Sequence, residues 1–125
     1  MIGYVTLGTN DLQRAAKFYD ELLGLYGAKR LMEFPRGYVW GHSMASPSLG
    51  IMTPFDEKPA TVGNGVMVAL AFDSKEKVDA IYNKAIELGG TDEGAPGFRG
   101  GEDFYAAYFR DLDGNKLNAF CVLQN

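Results

Sequence analysis

The sequence predicts an α+β fold of two βαβββ modules, whose curved mixed sheets form a cleft with the helices on the outside. Three observations carry this expectation. The order strand, helix, three strands occurs twice along 125 residues. Laying Val5 against Val68 brings the two copies into register at a period of about 63 residues, longer than a solenoid unit. Each copy has one helix, which can cover one face of a four-stranded sheet and leaves the other face to line a concave space.

The first module opens with YVTLGT (residues 4–9), an extended β-prone run. Thr9, Asn10 and Asp11 then offer helix caps. Leu12, Ala15, Ala16, Tyr19, Leu22 and Leu23 recur at helical spacing until Gly24. Three extended runs follow, AKRLMEF (28–34), YVWGH (38–42) and SLGIMT (48–53), punctuated by Gly37, Pro47 and Pro54.

The second module repeats the plan. VMVALAF (66–72) is a strand. Asp73 or Ser74 caps a helix with Val78, Ile81, Tyr82, Ala85, Ile86 and Leu88 as its apolar positions, and Gly89-Gly90 stops it. TDEGAPGF, FYAAYFR and KLNAFCV supply three further strands. The modules span about 1–54 and 65–125 of one domain, and FDEKPATVGNG (55–65) links them.

The stretch DLDGNKLNAF (111–120) contains a tight turn, with Asp113 and Asn115 able to bond nearby backbone and Gly114 supplying a positive φ. The strand after it alternates. Leu117, Ala119 and Cys121 point one way, and Asn118, Phe120 and Val122 the other. An asparagine therefore stands on an otherwise apolar strand face.

Composition excludes several function classes. Hydrophobic content of 46% and charged content of 22% are those of a globular domain that needs neither a disulfide nor a structural metal to fold. A net charge of −4 and no basic cluster argue against nucleic acid, which selects a cationic surface. The single Cys121 has no pairing partner in the chain; it reads as a buried small hydrophobe and fits a reducing cytoplasm. The start MIGYVTLGTND lacks the pattern of a signal peptide. No apolar run approaches the roughly 20 residues that cross a bilayer, so no membrane partner is expected.

Three stretches carry a family resemblance: GYVTLGTNDLQRAAKFYDELLG, LAFDSKEKVDAIYNKAIELGG followed by GAPGFR, and AAYFRDLDGNKLNAF. Together they resemble the vicinal oxygen chelate superfamily, which includes glyoxalase I, bleomycin-resistance proteins and extradiol dioxygenases, and within it the small glyoxalase-like bacterial members. The resemblance implies paired βαβββ modules forming a cleft, commonly in a homodimer. It also implies where a divalent metal would be held in the enzymes, by His, Glu or Gln from the first and last strands of each module. The matching positions here are Tyr4, Gly50, Met67 and Asn118. A neutral phenol, a bare hydrogen, a thioether and an amide are not a donor set for a hard or borderline cation. No metal and no other cofactor is therefore expected. His42, the sole histidine, shares a strand face with Tyr38 and Trp40 and lies off these positions.

If the superfamily cleft is kept, strand parity assigns its lining. The ligand-binding candidates are Tyr4 and Met52 from the first module, and Met67, Phe104, Tyr108, Asn118 and Phe120 from the second. Thr6, Gly50, Ala69, Ala71 and Ala106 share that parity, whereas Val5, Leu7, Val68, Leu70, Leu117 and Ala119 face the helices. Arg99, in the glycine-rich GAPGFRGGED, is a cation beside the cleft, able to pair with a carboxylate from a mobile lid.

The expected function is binding of a small molecule, with an aromatic one well suited, in a metal-free cleft of the glyoxalase/bleomycin-resistance type. The expected assembly is a cytoplasmic homodimer. The net charge leans slightly toward cationic ligands. No catalytic residue is assigned. Strict glyoxalase I activity is not expected, because a chelated enediolate needs both a Lewis acid and a general base. The alternative is a metal-dependent lyase, isomerase or dioxygenase with ligands at other positions. A third reading is an interacting subunit whose cleft is filled by Met52, Met67, Phe104, Tyr108 and Phe120.

Overall fold

The computed structural model describes residues 1–123. It contains β1 (Tyr4–Gly8), α1 (Leu12–Gly24), β2 (Lys29–Phe34), β3 (Gly37–Gly41), β4 (Ser48–Met52), β5 (Val68–Ala71), α2 (Lys75–Glu87), β6 (Thr91–Phe98), β7 (Phe104–Arg110) and β8 (Lys116–Val122). The strands form two four-stranded sheets, ordered β1-β4-β3-β2 and β5-β8-β7-β6. In each sheet the first and last strands of the module pair in parallel, and the remaining pairs are antiparallel. This is an α+β fold of two βαβββ modules. The chain divides into two compact units, the first Met1–Gly63 and the second from Asn64 onward.

In the first unit, Asp11 caps α1 by accepting from the Arg14 N–H at 3.1 Å. Ala15, Ala16, Phe18, Tyr19 and Leu22 form its buried stripe. That stripe packs on β2, β3 and β4, where Leu49, Ile51 and Trp40 are buried. Tyr19 and Trp40 rings stand 5.8 Å apart at this contact. Fully burying a side chain of this size stabilises by roughly 1.5–3 kcal/mol, which is why the stripe, rather than helix propensity, holds α1. The helix ends at Gly24 as expected, but the reversal is made three residues later by Gly27 at φ +91°.

The second unit repeats the scheme. Ser74 caps α2 through the Lys77 N–H at 3.2 Å, and Gly89 at φ +101° ends it. Val78, Ile81 and Ala85 bury against Ala107, Phe109, Leu117, Ala119 and Cys121 of β7 and β8. Cys121 is 1% exposed, and burial pushes its thiol pKa upward. The strand expected over 66–72 is shorter than its sequence pattern. It begins at Val68, paired with Leu117, so Met67 stands just before the ladder.

In the β7–β8 turn Asp111 is an acceptor hub. Asp111 Oδ1 accepts from the N–H groups of Asp113 and Asn115, both at 2.9 Å, and Oδ2 accepts from Asn115 Nδ2 at 3.0 Å. Gly114 takes φ +89°, as its place in the turn predicts.

Candidate functional site

Strand parity holds along β1, β4, β5, β7 and β8, and is shifted by bulges in β2 and β6. The helix-side positions Leu7, Leu117 and Ala119 are buried, and Val5, Val68 and Leu70 are half-buried. The other parity makes the face turned away from each helix, and all the candidate strand residues lie there.

In the second unit the ladder arranges that face as cross-sheet rows. Ala69 pairs with Asn118, Asn118 with Tyr108, and Tyr108 with Gly94. The next row runs Ala71, Phe120, Ala106 and Gly97. Phe104 stacks on Phe120 with centroids 5.4 Å apart and planes at 23°. The face therefore offers an aromatic stack beside a floor of small residues, with one amide next to one phenol.

Asn118 is 2% exposed. Its Nδ2 donates to the carbonyl oxygens of Ala107 at 3.1 Å and Ala119 at 3.3 Å. Both amide protons are thus spent on backbone, which satisfies the buried donor. Its Oδ1 accepts from no donor among the described residues.

Tyr108 lies between two cations. Arg99 Cζ is 5.5 Å from its ring centroid and Lys116 Nζ is 5.6 Å from it. Such cation–π contacts contribute about 0.5–1 kcal/mol at exposed sites. Arg99 is not a free loop cation. Its Nη2 donates to the Ala95 carbonyl at 2.7 Å and its Nη1 to that of Phe98 at 3.4 Å. Gly94 and Gly97, read in sequence as part of a lid, sit in β6, and a Cβ at either would meet the Arg99 guanidinium at 3.3 and 3.0 Å. These glycines make room for the side chain to fold back on its own strand. Only Gly100 and Gly101 remain in the loop that follows.

In the first unit, Tyr4 is 65% exposed at the start of β1 and pairs with Ser48. Met52 ends β4, half-buried. Gly50 is buried beside Thr6 and Val39, and a Cβ there would lie 3.2 Å from Thr6 Cγ2 and 3.3 Å from Met52 Cε. Met67, in the second unit, is exposed.

The residues at the four positions that the resemblance assigns to a metal do not fit a divalent cation. Tyr4 and Met67 offer a phenol and a thioether, Gly50 offers no donor, and Asn118 offers one neutral amide oxygen. Among the described residues no group of three or more His, Cys, Asp or Glu side chains converges. His42 is exposed, with its Nε2–H directed at the Tyr26 carbonyl at 3.1 Å. Two carboxylates on the helix sides of the sheets are held by hydrogen bonds. Asp20 accepts from Arg30 Nε and Trp40 Nε1, both at 2.9 Å. Burial alone would raise its pKa, but these bonds and the Arg30 charge hold it below the usual carboxylate value. Asp79 accepts from Tyr105 at 2.6 Å; that bond first, then burial, pushes the phenol up to about 12.

No described helix is long and apolar enough to cross a membrane.

The chain was compared with known proteins. The profile of the Glyoxalase/Bleomycin resistance protein/Dioxygenase superfamily matches residues 1–119. A glyoxalase/bleomycin resistance protein from Albidiferax ferrireducens T118 is 41% identical, with 98% of this chain and 99% of that chain covered and a TM-score of 0.89. A family enzyme from Burkholderia phytofirmans PsJN superposes at a TM-score of 0.77 and 22% identity, over 97% of this chain and 98% of that one. A lactoylglutathione lyase from Agrobacterium tumefaciens does so at 0.71 and 21%, over 97% and 92%. At those last two identities the likeness is one of fold. No curated protein matches the chain. The extent of the profile match and the close relative agree with the repeated βαβββ units: the chain belongs to the glyoxalase/bleomycin resistance protein/dioxygenase superfamily.

Proposed function

We propose that this protein binds a small, partly aromatic molecule in a cleft of the glyoxalase/bleomycin-resistance type, without metal chemistry. The observation that supports it best is the chemistry of the β7–β8 face. Stacked Phe104 and Phe120 offer a flat apolar surface, and Asn118 Oδ1 and the Tyr108 hydroxyl offer dispersed polar contacts. The four metal-ligand positions carry no suitable donor set, and that favours binding over the lyase, isomerase or dioxygenase alternative. Arg99 and Lys116 flank Tyr108, so two cations stand at this face despite the net charge of −4. An acidic group on the ligand suits them better than a cationic one. Tyr4, Met52 and Met67 complete the proposed lining. The reading includes a homodimer working in the cytoplasm on a small-molecule partner, with neither nucleic acid nor membrane.

Isothermal titration against a panel of aromatic acids, neutral aromatics and aromatic cations tests this, alongside metal analysis of protein purified without chelators. Heat from aromatic compounds, lost in Phe120→Ala, is expected. A stoichiometric transition metal whose removal abolishes a measurable activity would overturn it.

A further inference from the structure

A second candidate surface lies wholly within the first unit. The segment after β4 is pinned at both ends. At Thr53, the N–H and hydroxyl donate to the Arg36 carbonyl at 2.8 and 3.2 Å, and Arg36 Nε donates back to the Thr53 carbonyl at 2.9 Å. At Ala60, the N–H donates to Asn10 Oδ1 at 2.6 Å and the carbonyl accepts from Asn10 Nδ2 at 3.1 Å. Between these pins the loop stands over a depression of about 370 Å³, reached by Thr6, Arg36, Met52, Phe55 and Thr61. That volume is within the range of about 300–1,000 Å³ typical of small-molecule sites.

Arg36 is the cation of this depression. Its Nε bond and the Phe55 ring, 5.3 Å from Cζ, fix the plane of the guanidinium. Its Nη1 and Nη2 have no acceptor among the described residues. The Thr6 and Thr61 hydroxyls, on the same depression, are likewise without a partner among them. The one acid in the lining, Asp56, accepts from the Lys58 N–H at 3.0 Å and forms no ion pair with Arg36. A guanidinium whose Nη1–Nη2 edge is open matches the geometry of a carboxylate, with which it forms two parallel charge-assisted bonds.

We propose that this depression recognises the carboxylate of a small organic acid. The carboxylate docks on Arg36 Nη1 and Nη2, the Thr6 and Thr61 hydroxyls donate to its remaining lone pairs, and the apolar part of the acid lies along Met52 and Phe55. The site shares Met52 with the lining proposed above but does not rest on that reading, since Asn118, Tyr108 and Phe120 take no part in it.

The test uses the full chain and two isosteric probes, benzoate and benzamide, followed by amide NMR shifts and titration. Benzoate is expected to bind at least about tenfold more tightly than benzamide, with shifts centred on Thr6, Arg36 and Thr53. Arg36→Gln is expected to abolish the preference, Arg36→Lys to retain part of it, and Thr6→Val to weaken benzoate alone. Because Arg36→Gln also removes the bond to Thr53, its fold is checked by thermal melting; if it melts early, Arg36→Lys and Thr6→Val carry the result. Equal affinity for the two probes, no binding of either, or benzoate affinity unchanged in these variants would overturn the proposal. So would benzoate shifts centred on Tyr108 and Asn118, which would instead support the other site. Loss of aromatic binding in Phe120→Ala with benzoate binding intact would separate the two.

Discussion

Asn118 Nδ2 donates to the Ala107 carbonyl oxygen at 3.1 Å, tying the amide to the neighbouring strand. A carboxylate at this position would set negative oxygens against the Ala107 and Ala119 carbonyls. Asn118→Asp is therefore expected to destabilise by about 2–4 kcal/mol at neutral pH. The loss should shrink on acidification, because a protonated carboxyl can donate where the amide did. Asn118→Leu removes the donor and keeps the shape, and should cost less than about 1.5 kcal/mol. Urea unfolding of both variants at two pH values checks this. An Asn118→Asp protein as stable as the parent would show that the amide is not held as described.

Gly37 and Gly50 are both buried in the first sheet, yet they should respond differently to alanine. A Cβ at Gly37 would collide with the Ile51 carbonyl oxygen and the Met52 sulfur, and would come within 2.8 Å of the Met52 Cα. Backbone cannot yield as a side-chain tip can. Gly37→Ala should cost about 3 kcal/mol or more, and Gly50→Ala about 1 kcal/mol or less, since its neighbours are methyl groups at 3.2–3.5 Å. Thermal melts of the two variants give the ranking.

Tyr105 donates to Asp79 at 2.6 Å, joining β7 to α2. The folded state holds this phenol's pKa above the ordinary 10.0, at about 12. A raised pKa means that the fold favours the protonated form. The contribution is complete below pH 10.0 and is lost as pH rises toward about 12. Tyr105→Phe should cost about 1–2 kcal/mol at neutral pH and remove that alkaline dependence. Denaturant midpoints across this range test both statements.

Asp20 responds in the opposite sense. Its carboxyl is held below the ordinary 3.8 by Arg30 and Trp40, against the effect of burial. Its contribution is present above pH 3.8 and is lost as the pH falls below that value. The Asp20 side chain is 42% exposed, so solvent screening limits the effect of Asp20→Asn to about 1 kcal/mol. Trp40→Phe should loosen the same contact at any pH, because it removes an N–H donor that carries no titrating proton. Comparing the two variants on either side of pH 3.8 by urea unfolding separates the charge from the packing.

Much of the fold was legible because each strand and helix wrote its own period. The 3.6-residue stripe of Ala15, Ala16, Tyr19 and Leu22 and the alternation of Leu117, Ala119 and Cys121 assign faces without any tertiary information. What the residues left open was set by partners. Val66 and Met67 look like strand but precede the ladder pairing of Val68 with Leu117. Three acceptors in DLDGN could each organise the turn, and only the fold shows Asp111 accepting from the N–H groups of both Asp113 and Asn115. Glycines around Arg99 read as mobility, but two of them are strand positions that accommodate the guanidinium. Arg36 gave no signal, since a cation in a hairpin turn ordinarily faces water. Its pairing with Thr53, 17 residues away, appears only once β3 and β4 are side by side.

The parallel pairing of β5 with β8 has a consequence during synthesis. β8, the last of the described strands, lies inside its sheet between β5 and β7. Until Lys116–Val122 leaves the ribosome, β5 has no neighbour to bond, and α2 lacks the Leu117 and Ala119 side of its bed. A nascent chain arrested before Lys116 should therefore expose both to chaperones and proteases, whereas the first unit, whose own closing strand is β4, can already be complete.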